Sequence, residues 1–286
     1  MRLLFLKVYP TFEDGRWKVY PLGAGASSVP KAFPSNIANA ASQLCRYMPL
    51  YPTHMPLNPI QKGAVAILSA MGALLRPARA DLVAAVGETT GEWVLPYIRD
   101  RMRRDPVGER ILAERPRVTD ATIELCRGMP PGSFGAGYAK FMGDRRFSAD
   151  ERPPVRFVDD EELAYVITRA REVHDFWHVL FDCHTNVFGE LALKGLEFVQ
   201  TGLPMTGLAV LGAQYRLNPA DRELLQRHYL PWALRAGSRS TDLMCIYYEQ
   251  HFEDNLEDMR REHRIIPAPP PPQHLRFKGP KPPVQA

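Results

Sequence analysis

Two histidines and a carboxylate in this chain have the types and the spacing to hold a metal ion. Residues 171–190 read Arg-Glu-Val-His-Asp-Phe-Trp-His-Val-Leu-Phe-Asp-Cys-His-Thr-Asn-Val-Phe-Gly-Glu, so His174-Asp175-x-x-His178 is followed after eleven residues by Glu190. Side chains at i and i+4 stand on one face of a helix. Neutral imidazoles so placed can share one ion, as in the His-Glu-x-x-His zinc helices. With Glu190 they make three ligands and leave positions open to water or substrate, the arrangement of a catalytic rather than a closed structural site. Asp175 is turned ~100° from His174. It is expected both as a fourth ligand and as the group that handles a proton, and the spacing leaves these roles open. Zinc is the expected ion. Two histidines and a carboxylate also suit non-haem iron, which is the alternative.

A helix must present both rings. It is expected to begin at Asp159-Asp160-Glu161-Glu162, with Asp159 as N-cap and Glu162 three residues on. Beyond it Leu163, Ile167, Ala170, His174, Trp177 and Phe181 recur at steps of three or four, one apolar stripe. His174 falls within the stripe and His178 at its edge. Glu190 cannot join them on a straight helix, because twelve residues further on it lies ~18 Å along the axis and about a third of a turn away. The chain must break, with Thr185, Asn186 and Gly189 as breaking residues, and return so that a second helix carries Glu190 opposite the first. Cys183 and His184 are read as spacers.

Other segments of the chain carry further motifs: Tyr51-Pro52-x-His54, Gly87-Glu88-Thr89-Thr90-Gly91, Arg104-Asp105-Pro106, Phe157 to Val166, Val199-Gln200-Thr201-Gly202-Leu203-Pro204-Met205 and Tyr247-Tyr248-Glu249. Together with the His-Asp-x-x-His…Glu motif they resemble, in order and over residues 47–260, the mitochondrial coenzyme Q biosynthesis protein four family. None of the four motif positions departs from the family pattern.

The resemblance implies a substrate class, a 4-hydroxy-3-methoxy-5-polyprenylbenzoate, and a reaction, metal-dependent loss of its C1 carboxylate, in an oxidative or a non-oxidative version. It implies a peripheral protein on the matrix side of the mitochondrial inner membrane. Its partners would be the membrane surface and the other proteins of a multi-subunit coenzyme Q biosynthetic complex, with room for a homodimer. A non-catalytic prenyl-lipid-binding scaffold of that complex is the alternative function. A metallohydrolase is disfavoured, because Asp175 in place of the usual glutamate shortens the base by one methylene.

The 286 residues, 45% hydrophobic and 24% charged, are enough for one sizeable core. A net charge of +4 does not argue for a nucleic-acid partner. Cys45, Cys126, Cys183 and Cys245 are far apart, which fits a reducing compartment. No long alternating strands appear, so the expected fold is all-α, a single-domain helical bundle over 47–265 with the metal site between two adjacent helices.

Residues 1–46 read as an N-terminal arm or a partial targeting segment. No acid occurs from Gly15 to Ala80, but an amphipathic arginine helix is lacking, and a strand-like arm is equally expected. Residues 266–286 form a Pro-rich tail, expected to be disordered or extended. One helix is predicted from Asn58-Pro59 or Thr53 to before Pro77, a second from Ala78 to about Asp100, and a last from about Thr241 to His263, where Glu249 and His251 are minor candidates for groups supporting the site. Gly87 and Gly91 are expected to allow close packing. The run after Glu190 is greasy but too short to span a bilayer. Leu203, Leu208 and Leu211 are expected to line or border an apolar groove, or a surface that dips into a membrane.

Overall fold

A computed structural model describes residues 8–13, 16–21, 50–76 and 79–276. The chain divides into two units, 1–48 and 49–286. In the first, β1 (Val8–Glu13) pairs antiparallel with β2 (Arg16–Pro21), Val8 opposite Pro21 and Glu13 opposite Arg16. Strands therefore stand where a strand-like arm was one of two expectations. The remainder of that segment, Cys45 and residues 277–286 of the tail lie outside the described residues.

The second unit is all-α, with no strand among its described residues. Helix α1 (Pro59–Leu75) begins at Asn58, whose side chain accepts from Gln61 N while Gln61 reaches back to the cap, with Pro59 at the first helical position. The predicted second helix is two. α2 (Ala80–Gly91) ends at a turn, and α3 (Leu95–Arg104) restarts with Pro96 in its first turn, where a missing N–H costs nothing. There follow α4 (Pro106–Glu114), capped by Asp105, α5 (Asp120–Arg127) and α6 (Phe134–Arg145), capped by Ser133.

Helix α7 (Glu161–Phe181) is the axis of the unit. Fourteen of its 21 residues are buried, so the single expected stripe is in fact a helix enclosed on nearly all sides. Its cap is Asp160, which accepts from Leu163 N, and not Asp159. Asp159 instead pairs with His54 and Lys62 and ties the 50–62 segment to the start of α7. Behind α7, Phe176 contacts the rings of Phe134, Tyr138, Tyr248 and Phe252, and Trp177 donates to the Tyr248 hydroxyl. The buried Arg169 pairs with Glu249.

Helix α8 (Val187–Thr201) returns along α7, and α9 (Pro204–Ala213) follows after the left-handed Gly202. Then come α10 (Pro219–Leu224), a π-turn at 225–229 and α11 (Leu230–Arg239). The predicted helix over 241–263 is absent. Two 3₁₀ turns and the short α12 (Leu256–Glu262) occupy that stretch. Side chains take backbone donors at its start, where Asp242 accepts from Met244 N and Gln200 of α8 accepts from Leu243 N, while Asn255 caps α12 by accepting from Glu257 N. Residues 266–272 carry no helix, a 3₁₀ turn follows at Gln273–Leu275, and the segment is held by Ala268 N on Phe181 O, Tyr229 on Pro269 O and Asn186 on Leu275 O.

Gly87 and Gly91 do allow close packing. A Cβ at 87 would lie 2.8 Å from Met205 Sδ, and one at 91 would lie 3.2 Å from Leu203. Between them Glu88, buried, accepts from Arg156 N and Phe157 N and from Arg171 on α7.

Candidate metal centre

The turn between α7 and α8 decides the site. Asp182 caps α7 in the left-handed conformation, and Asn186 caps α8 by accepting from Gly189 N. A Cβ at position 189 would sit 2.1 Å from the His184 carbonyl oxygen, so only glycine permits so tight a return. The return places Glu190, in the first turn of α8, opposite His178 and His174 on the last turns of α7.

His178 Nε2 lies 3.1 Å from Glu190 Oε1, His174 Nε2 lies 3.6 Å from Glu190 Oε2, and the two Nε2 atoms are 3.1 Å apart. One ligand atom from each of the three residues falls within 4.8 Å of the others. The far nitrogen of each ring has its own acceptor: His178 Nδ1 donates to the Cys183 carbonyl at 2.9 Å, and His174 Nδ1 meets the Glu197 carboxylate. These partners put the N–H on Nδ1 of each neutral ring and leave both Nε2 lone pairs facing each other and the Glu190 oxygens. Acceptors so placed repel unless a cation lies among them.

Without a metal ion among these acceptors, a proton on His174 takes the cation's place. At His174 burial, and then Lys194, disfavour the charged ring, but Glu197 and Glu190 outweigh them and raise it to about 9. Burial works against ionised Glu197 as well, yet Lys194 and His174 hold it at about 2. Glu190 is held well below the usual range by His178 and His174 despite its burial among them. The chemistry of the donor set, two imidazoles and a carboxylate with each ring oriented by an acceptor behind it, fits a divalent transition ion.

Three of the four predicted site residues thus come together, and Asp175 does not join them. Its carboxylate accepts from Arg152 Nη2 at 2.5 Å, and Arg152 also donates to the Val118 and Ala149 carbonyls. One position along α7 is a rotation of ~100°, enough to send Asp175 to a different neighbour. Burial is also the reverse of the stripe reading, since His178 is buried whereas His174 is partly open to a cavity. Cys183 and His184 supply no thiol or ring to the cluster. Glu249 and His251 are engaged elsewhere, with Arg169 and Asp254.

Glu197 and Lys194 were missed as site residues. Lys194 Nζ bonds both Glu197 oxygens, at 3.0 and 2.8 Å, and lies 3.3 Å from His174 Nδ1. The signal was present: Glu190, Lys194 and Glu197, at i, i+4 and i+7, put the charges of an otherwise greasy run on one helical face.

A cavity of about 380 Å³ adjoins the cluster. Its walls include the polar His174, Asp175, Glu190, Lys194 and Arg152 and the apolar Val83, Ala84, Ile167, Leu203 and Met205. The expected groove is therefore partly as read: Leu203 lines it, while Leu208 and Leu211 are exposed on the outside of α9. Met205 in the first turn of α9 lines the cavity, while in the later turns Val210 is buried and Leu208 and Leu211 stand on an exposed face.

Residues 51–269 match the family model described as coenzyme Q (ubiquinone) biosynthesis protein Coq4. The chain belongs to this family. It is 46% identical over 252 residues to the mitochondrial ubiquinone biosynthesis protein coq4 of Aspergillus terreus, covering 87% of this chain and 86% of the relative. It is 47% identical over 224 residues to the mitochondrial COQ4 homolog of Homo sapiens, covering 78% and 84%. A crystal structure of a protein from Nostoc punctiforme assigned to ubiquinone biosynthesis shares the fold, with a TM-score of 0.57 at 20% identity over 70% of this chain and 97% of that one. No helix among the described residues of this Coq4-family chain is long and apolar enough to cross a membrane.

Proposed function

We propose that this Coq4-family chain acts in mitochondrial ubiquinone biosynthesis, removing the C1 carboxylate of a 4-hydroxy-3-methoxy-5-polyprenylbenzoate in a metal-dependent reaction. The reading rests on one observation: of three acceptors that converge on one point, His174 and Glu190 line a cavity with both polar and apolar walls. The polar walls suit an anionic aromatic headgroup and the apolar walls the first units of a prenyl chain.

His174, His178 and Glu190 would hold the ion, zinc or alternatively iron. A bound ion supplies Lewis-acid polarisation of a substrate oxygen, and iron would in addition support the oxidative version of the reaction. The protein's own groups do the rest. Glu197 and the Cys183 carbonyl fix the two rings, and Lys194 neutralises Glu197. Arg152, on the cavity wall, gives an anionic headgroup a cation to face, and Asp175 beside it is in place to hold or pass a proton. In the non-oxidative version the substrate's phenolate pushes electrons to C1, and C1 takes a proton from Asp175 or a water. The C1–carboxylate bond then breaks, its electron pair restores the aromatic ring, and carbon dioxide leaves. The exposed apolar surface described below fits a peripheral protein at the matrix face of the inner membrane, working with other proteins of the biosynthetic complex.

The test is conversion of the C1-carboxylated polyprenyl precursor by purified protein whose metal content is known. About one transition ion per chain and metal-dependent release of carbon dioxide are expected. Zinc-loaded protein that converts the precursor without oxygen would fix the non-oxidative version. Metal-replete, folded protein with no turnover, aerobically or anaerobically, would refute the enzyme reading and leave the scaffold.

A further inference from the structure

One face of α1 is apolar along its whole length and covered by nothing in the described structure. Ile60, Ile67, Leu68, Met71 and Leu75 recur within an arc of ~120° around the helix, and each is exposed, by 57% or more. Such an arc normally faces a core. Helix α9 lies beside α1: Gly212 sits against Leu74, and Arg216 just beyond α9 donates to the Leu74 carbonyl. α9 adds Leu208 and Leu211, exposed by 49% and 64%. An apolar surface of this kind marks an interaction site.

Its charge says what it fits. α1 contains one charged residue, Lys62, which is turned inward to Glu92 and Asp159, and α9 contains none. At the border stand Arg76 and Arg216, both exposed, together with Arg79, which is paired with Asp81. An apolar helix face with a basic border lies in the plane of an anionic bilayer interface. The cavity of the site is placed to match: part of its apolar lining comes from Ala80, Val83 and Ala84 of α2 and from Leu203 and Met205 at the start of α9, two helices that contact α1.

We propose that the α1–α9 face docks on an anionic phospholipid surface, and that a prenyl chain passes from the bilayer into the cavity lined by Val83, Leu203 and Met205, toward His174 and Glu190. The second half rests on the prenylated-substrate reading above; the first does not.

The test uses the full chain and flotation with phosphatidylcholine vesicles, with and without phosphatidylglycerol. The parent should float with the anionic vesicles and much less with the neutral ones. Leu68→Glu and Leu211→Glu, at exposed positions, should each weaken binding about tenfold or more, from the loss of ~1.5–3 kcal/mol of apolar burial per leucine. Metal content and helicity should not change. Arg76→Gln with Arg216→Gln should remove the preference for anionic lipid. In a turnover assay both leucine variants should lose activity on vesicle-embedded polyprenyl precursor and keep it on a short-chain soluble one. No flotation of the parent, or variants that float like it, would overturn the docking. A parent dimer that the leucine variants split, with vesicle binding unchanged, would assign the face to a second copy instead. Flotation needs neither metal nor turnover, so a failed decarboxylase reading leaves this result standing on its own.

Discussion

Glu190→Gln isolates the charge of the third ligand. The amide keeps the size of the side chain and can donate to His178 Nε2, now 3.1 Å from a Glu190 oxygen. What it removes is one unit of negative charge from among two imidazoles. At an effective dielectric of ~20, unit charges ~4 Å apart interact by ~4 kcal/mol. The Glu190 side chain is 34% exposed, which screens the interaction. A loss of roughly 2–4 kcal/mol in metal binding is expected, or about 30- to 700-fold in Kd. The fold should survive, because α7 and α8 are packed by residues other than this one. The assay is competition for zinc against a chelator of known affinity, alongside circular dichroism and conversion of the C1-carboxylated precursor. Metal binding within about threefold of the parent would refute the argument that Glu190 is a ligand. A metal-free Glu190→Gln protein with full conversion would place the chemistry elsewhere.

Asp175→Asn should keep metal affinity within about tenfold, since Asp175 is paired with Arg152 and outside the cluster, but should lose turnover; it should also cost ~2 kcal/mol in thermal unfolding, less than the ~3–5 kcal/mol of a fully buried pair, because both side chains are partly exposed and Arg152 keeps two carbonyl partners. Gly189→Ala should be far harsher than its size suggests, lowering stability by more than ~3 kcal/mol and abolishing metal binding, because its Cβ would overlap the His184 backbone; a variant as stable as the parent would show that the return between α7 and α8 is not as tight as described. Asp159 is opposed by burial, but Lys62 and His54 hold its carboxyl below the ordinary value of 3.8. Its contribution is therefore whole above that value and is lost as pH falls below it. Asp159→Asn should lower the melting temperature at pH 7, and the difference from the parent should shrink as the pH drops through the carboxylate range.

Local rules made the centre of this molecule readable. The i, i+4 histidines, the acidic cluster ahead of them and the breakers between Asp182 and Glu190 each have one physical consequence, and together these produce α7, the turn and α8. The cap was misplaced by one residue because Asp159 and Asp160 are equivalent to a local rule. Only the distant His54 and Lys62, 105 and 97 residues away in sequence, claim the first of them. The 241–263 stretch failed for the same kind of reason. Its period is helical, but Gln200, on another helix, takes the Leu243 amide. Asp175 shows the limit most clearly. Adjacent to a ligand in sequence, it is sent by helical geometry toward Arg152, and nothing near it in sequence names that partner.

Three acceptors aimed at one point would drive a loosely held site apart, so the question is what keeps these together. The answer lies outside the ligands. α7 is enclosed by aromatic rings on the side away from the cavity, which fixes its rotation and so the direction of both histidines. The Cys183 carbonyl and Glu197 then fix the rings about their own axes, and Gly189 sets the approach of Glu190. Each constraint comes from a different element, so no single fluctuation relaxes all of them. Rigid elements hold the acceptors in place, and their mutual repulsion becomes affinity for whatever cation relieves it.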